Sequence, residues 1–292
     1  MVGLKTCKIN SKLVGFYAEK KRKVPEPKGL FLWFMTMIDT HTHLYLEEFK
    51  ADIVDVLEKA AAEGVKQFYL PNVDSTSIAD LLNLADQYPG RCIPMMGLHP
   101  CYVKENVAEE LQLVKGWLQK RPFAAVGEIG LDYYWDTTFV PQQKEAFRQQ
   151  INWALECNLP IVIHSRESMQ DCIDLVGEHQ NGKLRGIFHC FGGSLEEAKQ
   201  IMDLGFLMGI GGVVTYKKSG LTDVLPHIPI QYLVLETDAP YLSPVPYRGK
   251  RNEPSYLKFI AEKMAELMQT TAEEIAVQTT ANAQKLFGSS PI

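Results

Sequence analysis

Two imidazoles stand two residues apart in His41-Thr42-His43, just after the apolar Met37-Ile38 and Asp39. Side chains alternate along a strand, so such a pair faces one way and suits gripping one cation. Alone, it is equally well explained by ordinary packed or polar histidines. The same kind of residue recurs, however. Glu128 lies in Ala125-Val126-Gly127-Glu128-Ile129-Gly130, His164 follows Ile161-Val162-Ile163, His189 follows Ile187-Phe188, and Asp238 closes Leu233-Val234-Leu235-Glu236-Thr237-Asp238. Each is expected to terminate an apolar strand. Burying these groups unpaired is expensive, and a shared metal supplies the compensating bonds. Four of only seven histidines fall in this pattern, so His41, His43, Glu128, His164, His189 and Asp238 together read as a metal centre.

His99, in Gly97-Leu98-His99-Pro100, ends a further apolar run and is expected to face the same site. Arg166 and Arg248 are candidate phosphate clamps, because a guanidinium makes paired, charged hydrogen bonds. Lys250 and Arg251 beside Tyr247 fit either a strand-following cluster or a solvated loop. His179 and His227 have no comparable setting. The six cysteines form no CxxC pair, which favours small buried thiols in a reducing cytoplasm.

These residues need elements that bring many strand ends to one place. From Met37 onward short β-rich runs alternate with helix-patterned stretches, the sequence form of repeated βα units. Strands are predicted at 37–43, 66–71, 92–98, 123–129, 160–164, 186–190, 206–211 and 232–237. Helices are predicted near 51–63, 75–87, 107–120, 140–157, 168–180, 194–204, 255–268 and 271–286. Ser75 and Ser194 are placed to cap helices, and Thr271-Ala272-Glu273-Glu274 has capping-box spacing. Long connections at 213–230 and 239–254 suggest functional loops. Eight strands also fit an open doubly wound sheet, but ligands recurring at the ends of many strands favour the convergent mouth of an α/β (β/α)8 TIM barrel. The expected fold is that barrel, with a distorted, loop-elaborated C-terminal face.

The chain of 292 residues carries a net charge of −5, unevenly placed. Residues 1–36 hold eight basic and two acidic side chains, so the remainder is net −11 and lacks the broad basic field of a general nucleic-acid binder. The apolar run Leu30–Phe34 is too short for a signal peptide, and no small-residue cleavage site follows it. No run of about twenty apolar residues is present. The expected organisation is a basic extension at 1–36 outside the fold, one barrel at 37–288 and a tail at 289–292, in a cytoplasmic protein without membrane or obligate protein partners.

From about 37 to 287 the chain resembles the TatD family of metal-dependent deoxyribonucleases, amidohydrolase-like metal hydrolases. The resemblance rests on Ile38-Asp39-Thr40-His41-Thr42-His43, Gly127-Glu128-Ile129-Gly130-Leu131-Asp132-Tyr133, His164-Ser165-Arg166, His189-Cys190-Phe191, Glu236-Thr237-Asp238-Ala239-Pro240-Tyr241 and Arg248-Gly249-Lys250-Arg251-Asn252-Glu253-Pro254, in family order. It implies two divalent ions (zinc, manganese or magnesium). His41, His43, Glu128 and Asp238 would surround one, and Glu128, His164 and His189 the other, with Glu128 bridging. It also implies catalytic roles for Asp238, Glu128 and His99, substrate contacts from His99, Arg166 and Arg248, and phosphodiester hydrolysis in DNA, at 3′ ends or in single strands. RNA stays open as a substrate. So does a carboxylic ester or amide, as in D-aminoacyl-tRNA deacylation, since the same activated water attacks a carbonyl. Two departures bear on substrate contact and on the residues behind the ligands: Tyr45, where an acidic or amide residue is usual, and Ser168-Met169-Gln170 after Arg166.

Overall fold

The computed structural model of the protein describes residues 36–288. Residues 1–35 and 289–292, on which the expected extension and tail fall, lie outside the described residues. Eight parallel strands run in chain order: β1 Met37–Asp39, β2 Val65–Leu70, β3 Cys92–Pro94, β4 Val126–Asp132, β5 Ile161–Arg166, β6 Gly186–Phe188, β7 Leu207–Ile210 and β8 Leu233–Leu235. Strands β1 to β3 pair as one sheet and β4 to β8 as another. Two narrow seams close them into a barrel. Met96 bridges to Val126 between β3 and β4, and the Thr40 amide donates to the Leu235 carbonyl at 3.0 Å between β8 and β1. The barrel is therefore distorted, as expected, with its weakest pairing at these seams.

The helices are α1 Glu47–Lys50, α2 Ile53–Ala62, α3 Ile78–Gln87, α4 Val107–Lys120, α5 Val140–Cys157, α6 Met169–His179, α7 Leu195–Asp203, α8 Leu221–Val224, α9 Leu257–Met268 and α10 Ala272–Phe287. Their apolar stripes explain their seats. In α5, for example, Phe147, Ile151 and Ala154 recur at helical spacing and are buried. Ser194 caps α7 in a reciprocal capping box with Glu197, and Thr271 caps α10 by accepting from the Glu274 amide. Ser75 caps nothing: α3 starts three residues later, and the Ser75 hydroxyl donates to Glu110 Oε1 at 2.6 Å.

The barrel interior is packed by Ile38, Tyr69, Met95, Ala125, Val162, Ile187 and Val234, together with Ala283 and Leu286 of α10. The Phe287 ring stacks on Tyr69 at 4.0 Å. This layer fixes which residues enter the site, because a side chain two positions on shares the same face. From Val162 it leads to His164, from Ile187 to His189, and from Val234 to Glu236.

Several strands are shorter than the sequence reading, β3 ending at Pro94 rather than 98, β6 at Phe188 rather than 190 and β8 at Leu235 rather than 237, and two differ where that parity breaks. β1 ends at Asp39 rather than 43, so His41 and His43 sit on the turn beyond it. β4 runs 126–132, not 123–129, so Glu128 lies within the strand and Asp132 ends it. The β4–β5 register shifts between Val126 and Ile129. That irregularity turns Glu128 inward although it is an odd number of residues from Ala125.

Candidate metal centre

Glu128 is the hub of the barrel mouth. Its Oε2 lies 3.1 Å from His41 Nε2 and 3.7 Å from His43 Nε2. Its Oε1 lies 3.0 Å from His164 Nδ1, 3.0 Å from His189 Nε2 and 3.3 Å from His99 Nε2. One oxygen thus serves the histidines of the β1 turn, and the other serves His164 within β5, His189 just past β6 and His99 on the connection after β3. Asp238 Oδ1 joins the first group, 3.7 Å from His41 Nε2 and 3.4 Å from His43 Nε2. Asp238 reaches inward from a left-handed backbone, φ 57°, a conformation that Asp tolerates better than most residues. The structure therefore brings together all six expected ligands and places His99, also expected to face the site, beside them.

In His43, His164 and His99 a hydrogen bond on the far edge of the ring fixes the role of the nitrogen there. The Tyr45 hydroxyl gives its single proton to the Pro71 carbonyl at 2.7 Å, so it accepts from His43 Nδ1–H at 2.9 Å. In the neutral ring His43 Nε2 then keeps its lone pair, on the side of Glu128 and Asp238. The unusual Tyr45 thus does what a carboxylate or amide would do at that position. His164 Nε2–H donates to Asp132 Oδ2 at 2.8 Å, leaving Nδ1 facing Glu128. His99 is the opposite case: its Nδ1 accepts from the Cys101 amide at 3.0 Å. In the neutral ring Nε2 then carries the proton, a donor rather than a ligand atom.

His41 is wholly buried, and among the described residues neither of its ring nitrogens has a hydrogen-bond partner; His189 Nδ1 and Glu236 Oε2 are likewise unpartnered. The His41 and His189 rings lie face to face at 3.8 Å. Orphaned buried imidazoles are costly, and a cation beside them removes the cost. Donor spacing agrees. Bonds of 2.0–2.1 Å in a tetrahedral shell place donor atoms about 3.4 Å apart, and the four separations joining His41 and His43 to Glu128 and Asp238 run from 3.1 to 3.7 Å. The residues fit a divalent ion.

Burial alone would raise the Glu128 carboxyl, but the charges of His99, His189 and His41 hold it well below the usual range. Asp238 is lowered too, its burial outweighed by His43, His189 and His41. Burial opposes a proton on His189, yet Glu128 and Glu236 lift it well above the ordinary histidine value. Burial together with His189 lowers His41. The cysteines at the mouth are held as neutral thiols. Burial pushes the Cys101 thiol up to about 12 and Cys190 well above its usual value.

The centre opens into a cavity of about 1260 Å³. Arg166 and Arg248 line it, against the rings of Tyr134 at 3.8 Å and Tyr216 at 4.4 Å. Arg251 does not join them: it clamps Asp52 through two bonds of 2.9 and 2.7 Å and covers Phe49. Tyr247 stacks on Tyr256 at 4.2 Å, so that face is already covered. His179 bonds the Leu175 carbonyl, away from the site.

Sequence reasoning missed the residues that hold the ligands. Asp132 and Glu236 lie in the quoted motifs but carried no assignment. Glu236 Oε1 accepts from the Cys190 amide at 2.5 Å and lies 3.5 Å from His189 Nδ1. Two glutamines of α5 work at the mouth: Gln150 bonds both the amide and the carbonyl of Leu98, next to His99, and Gln143 accepts from the Asp132 amide at 3.0 Å. Their spacing of seven on one helix face was the available signal.

The sequence profile of TatD related DNases matches residues 38–288. The chain is 40% identical over 252 residues to the uncharacterised metal-dependent hydrolase YabD of Bacillus subtilis, covering 86% of this chain and 98% of the relative. It is 31% identical over 258 residues to the 3′-5′ ssDNA/RNA exonuclease TatD of Pantoea ananatis, covering 86% and 99%. Among solved structures, the Escherichia coli TatD homolog YjjV superposes with a TM-score of 0.82 at 31% identity, covering 87% of this chain and 98% of that one.

Proposed function

The chain belongs to the TatD family of metal-dependent hydrolases, and from that premise we propose that it is a deoxyribonuclease holding two divalent ions astride Glu128. The division of the histidines between the two Glu128 oxygens is the observation that carries this reading. His41, His43, Glu128 and Asp238 would hold one ion, and Glu128, His164 and His189 the other. When bound, such ions acidify water and stabilise charge on phosphoryl and leaving oxygens.

The protein's own groups do the rest. Asp238 Oδ1 is turned to His41 and His43, which leaves Oδ2 to take the proton of the attacking water. His99 Nε2–H, fixed as a donor by the Cys101 amide, orients a phosphoryl oxygen or protonates the departing one. Arg166 and Arg248 neutralise flanking phosphates. The arginine ion pairs among the described residues are those of Arg121, Arg148 and Arg251, so these two guanidinium groups keep their charge for substrate. The acidic body limits nucleic-acid contact to the site, which suits single strands and 3′ ends better than long duplexes. Free cysteines at 92, 101, 157, 172 and 190 support a reducing cytoplasm as its setting. No described helix is long and apolar enough to cross a membrane.

The test is a metal-free preparation restored with zinc, manganese or magnesium and offered single-stranded DNA, duplex DNA, RNA and charged tRNA. Metal-dependent cleavage of single-stranded DNA is expected to dominate. Deacylation of charged tRNA without strand cleavage would overturn the nuclease reading in favour of carbonyl chemistry.

A further inference from the structure

At the rim of the cavity stands a group that the hydrolytic chemistry leaves unused. Trp135 is 69% exposed and Tyr134 49% exposed, although both follow directly on a buried strand. Their rings meet edge to face at 4.9 Å, and the Arg166 guanidinium lies 3.8 Å from the centre of Tyr134 and 5.3 Å from that of Trp135. Trp135 and Arg166 both line the cavity that contains Glu128, His164 and Asp238.

The ledge is rigidly mounted. Asp132 Oδ1 accepts the amides of Tyr134 and Trp135, each at 3.0 Å, while Oδ2 holds His164 Nε2 at 2.8 Å. The Tyr133 amide donates to the Arg166 carbonyl at 3.0 Å, and Asp132 and Arg166 are register partners of β4 and β5. One carboxylate therefore ties the position of the ledge to that of a candidate metal ligand.

A largely exposed indole beside a guanidinium with no ion pair among the described residues, on the wall of the cavity proposed above to take phosphate, has the form of a base-stacking platform with an adjoining anion contact. We propose that Trp135, backed by Tyr134 and Arg166, stacks a nucleobase of a single strand next to the scissile phosphate, while Arg166 takes that nucleotide's phosphate. This rests on the nuclease reading above for the identity of the ligand. Stacking recognises a π-face rather than a sequence, so the ledge selects strands with unpaired bases over duplexes and shows little base preference.

The test is equilibrium binding in excess divalent metal, so that it does not depend on cleavage. Fluorescently labelled phosphorothioate pentanucleotides, one with all its bases and one abasic throughout, are titrated with wild type, Trp135→Ala and Trp135→Phe and followed by anisotropy. Trp135→Ala is expected to weaken binding of the base-bearing strand about 5- to 150-fold, the range for loss of one stacked base. Trp135→Phe, which keeps an aromatic face, is expected to recover most of that loss. The abasic strand is expected to bind wild type and Trp135→Ala alike. Equal binding of the base-bearing strand by wild type and Trp135→Ala overturns the proposal, as does an equal loss on both strands. A base-bearing strand held through Trp135 but never cleaved in its natural phosphodiester form would support the ledge and refute the nuclease reading, so the two failures are distinct.

Discussion

Tyr45→Phe removes one oxygen from a buried ring and leaves the ring's volume in place. Two contacts disappear: the donor to the Pro71 carbonyl at 2.7 Å and the acceptor for His43 Nδ1–H at 2.9 Å. Without that acceptor, His43 is free to place its proton on Nε2, the nitrogen that must offer a lone pair beside Glu128 and Asp238. Partners of this kind are worth about 10- to 100-fold in metal affinity, or roughly 1.4–2.7 kcal/mol. The unpaired Pro71 carbonyl costs about 1–3 kcal/mol of fold stability. Competition between a calibrated chelator and the protein, in wild type and variant, reads the first quantity, and urea unfolding of the metal-free proteins reads the second. The expected result is a 10- to 100-fold loss confined to one of two binding steps, because His164 is held separately by Asp132 and neither it nor His189 touches Tyr45. A folded Tyr45→Phe protein with unchanged affinity at both steps would refute the tautomer argument.

Three other outcomes follow from the same geometry. Asp238→Asn, compared at measured full metal occupancy, is expected to lower kcat about 100- to 10,000-fold with a much smaller change in substrate binding; near-normal turnover of the metallated variant excludes Asp238 as an essential base. Gly130→Ala forces a side chain onto a backbone at φ 138° and places Cβ 2.1 Å from the His164 carbonyl oxygen, so urea midpoints should fall by the equivalent of at least about 1–3 kcal/mol, and an unchanged midpoint contradicts the account of the β4–β5 contact. Removing residues 1–34 is expected to preserve metal-dependent turnover, because the family match begins at residue 38; a soluble truncated chain that has lost activity would assign those residues a role.

The alternation of apolar runs and helical stripes was enough to place eight βα units and to order the ligands around a mouth. That worked because burial on both faces leaves each strand with a continuous apolar signature. Parity was not legible. His41 and Glu128 enter the site against simple alternation, through an early end to β1 and a register shift in β4, and both depend on pairing with distant strands. Nor could local pattern reveal that Arg251 is taken by Asp52, 199 residues away, while Arg248 and Arg166 lie over tyrosine rings with no ion pair among the described residues. Tyr45 stood out only as a departure from the family pattern. Its meaning needed the Pro71 carbonyl, which fixes the direction of the hydroxyl proton.

The most direct test of the central claim, a two-ion centre bridged by Glu128, is a stoichiometric metal titration of the metal-free chain and of Glu128→Gln, with bound metal and cleavage of single-stranded DNA measured at every step. Wild-type activity is expected to rise until two ions are bound per chain, and Glu128→Gln is expected to bind less metal and to remain nearly inactive. Full wild-type activity at one bound ion, or a Glu128→Gln protein with wild-type stoichiometry and turnover, would contradict it.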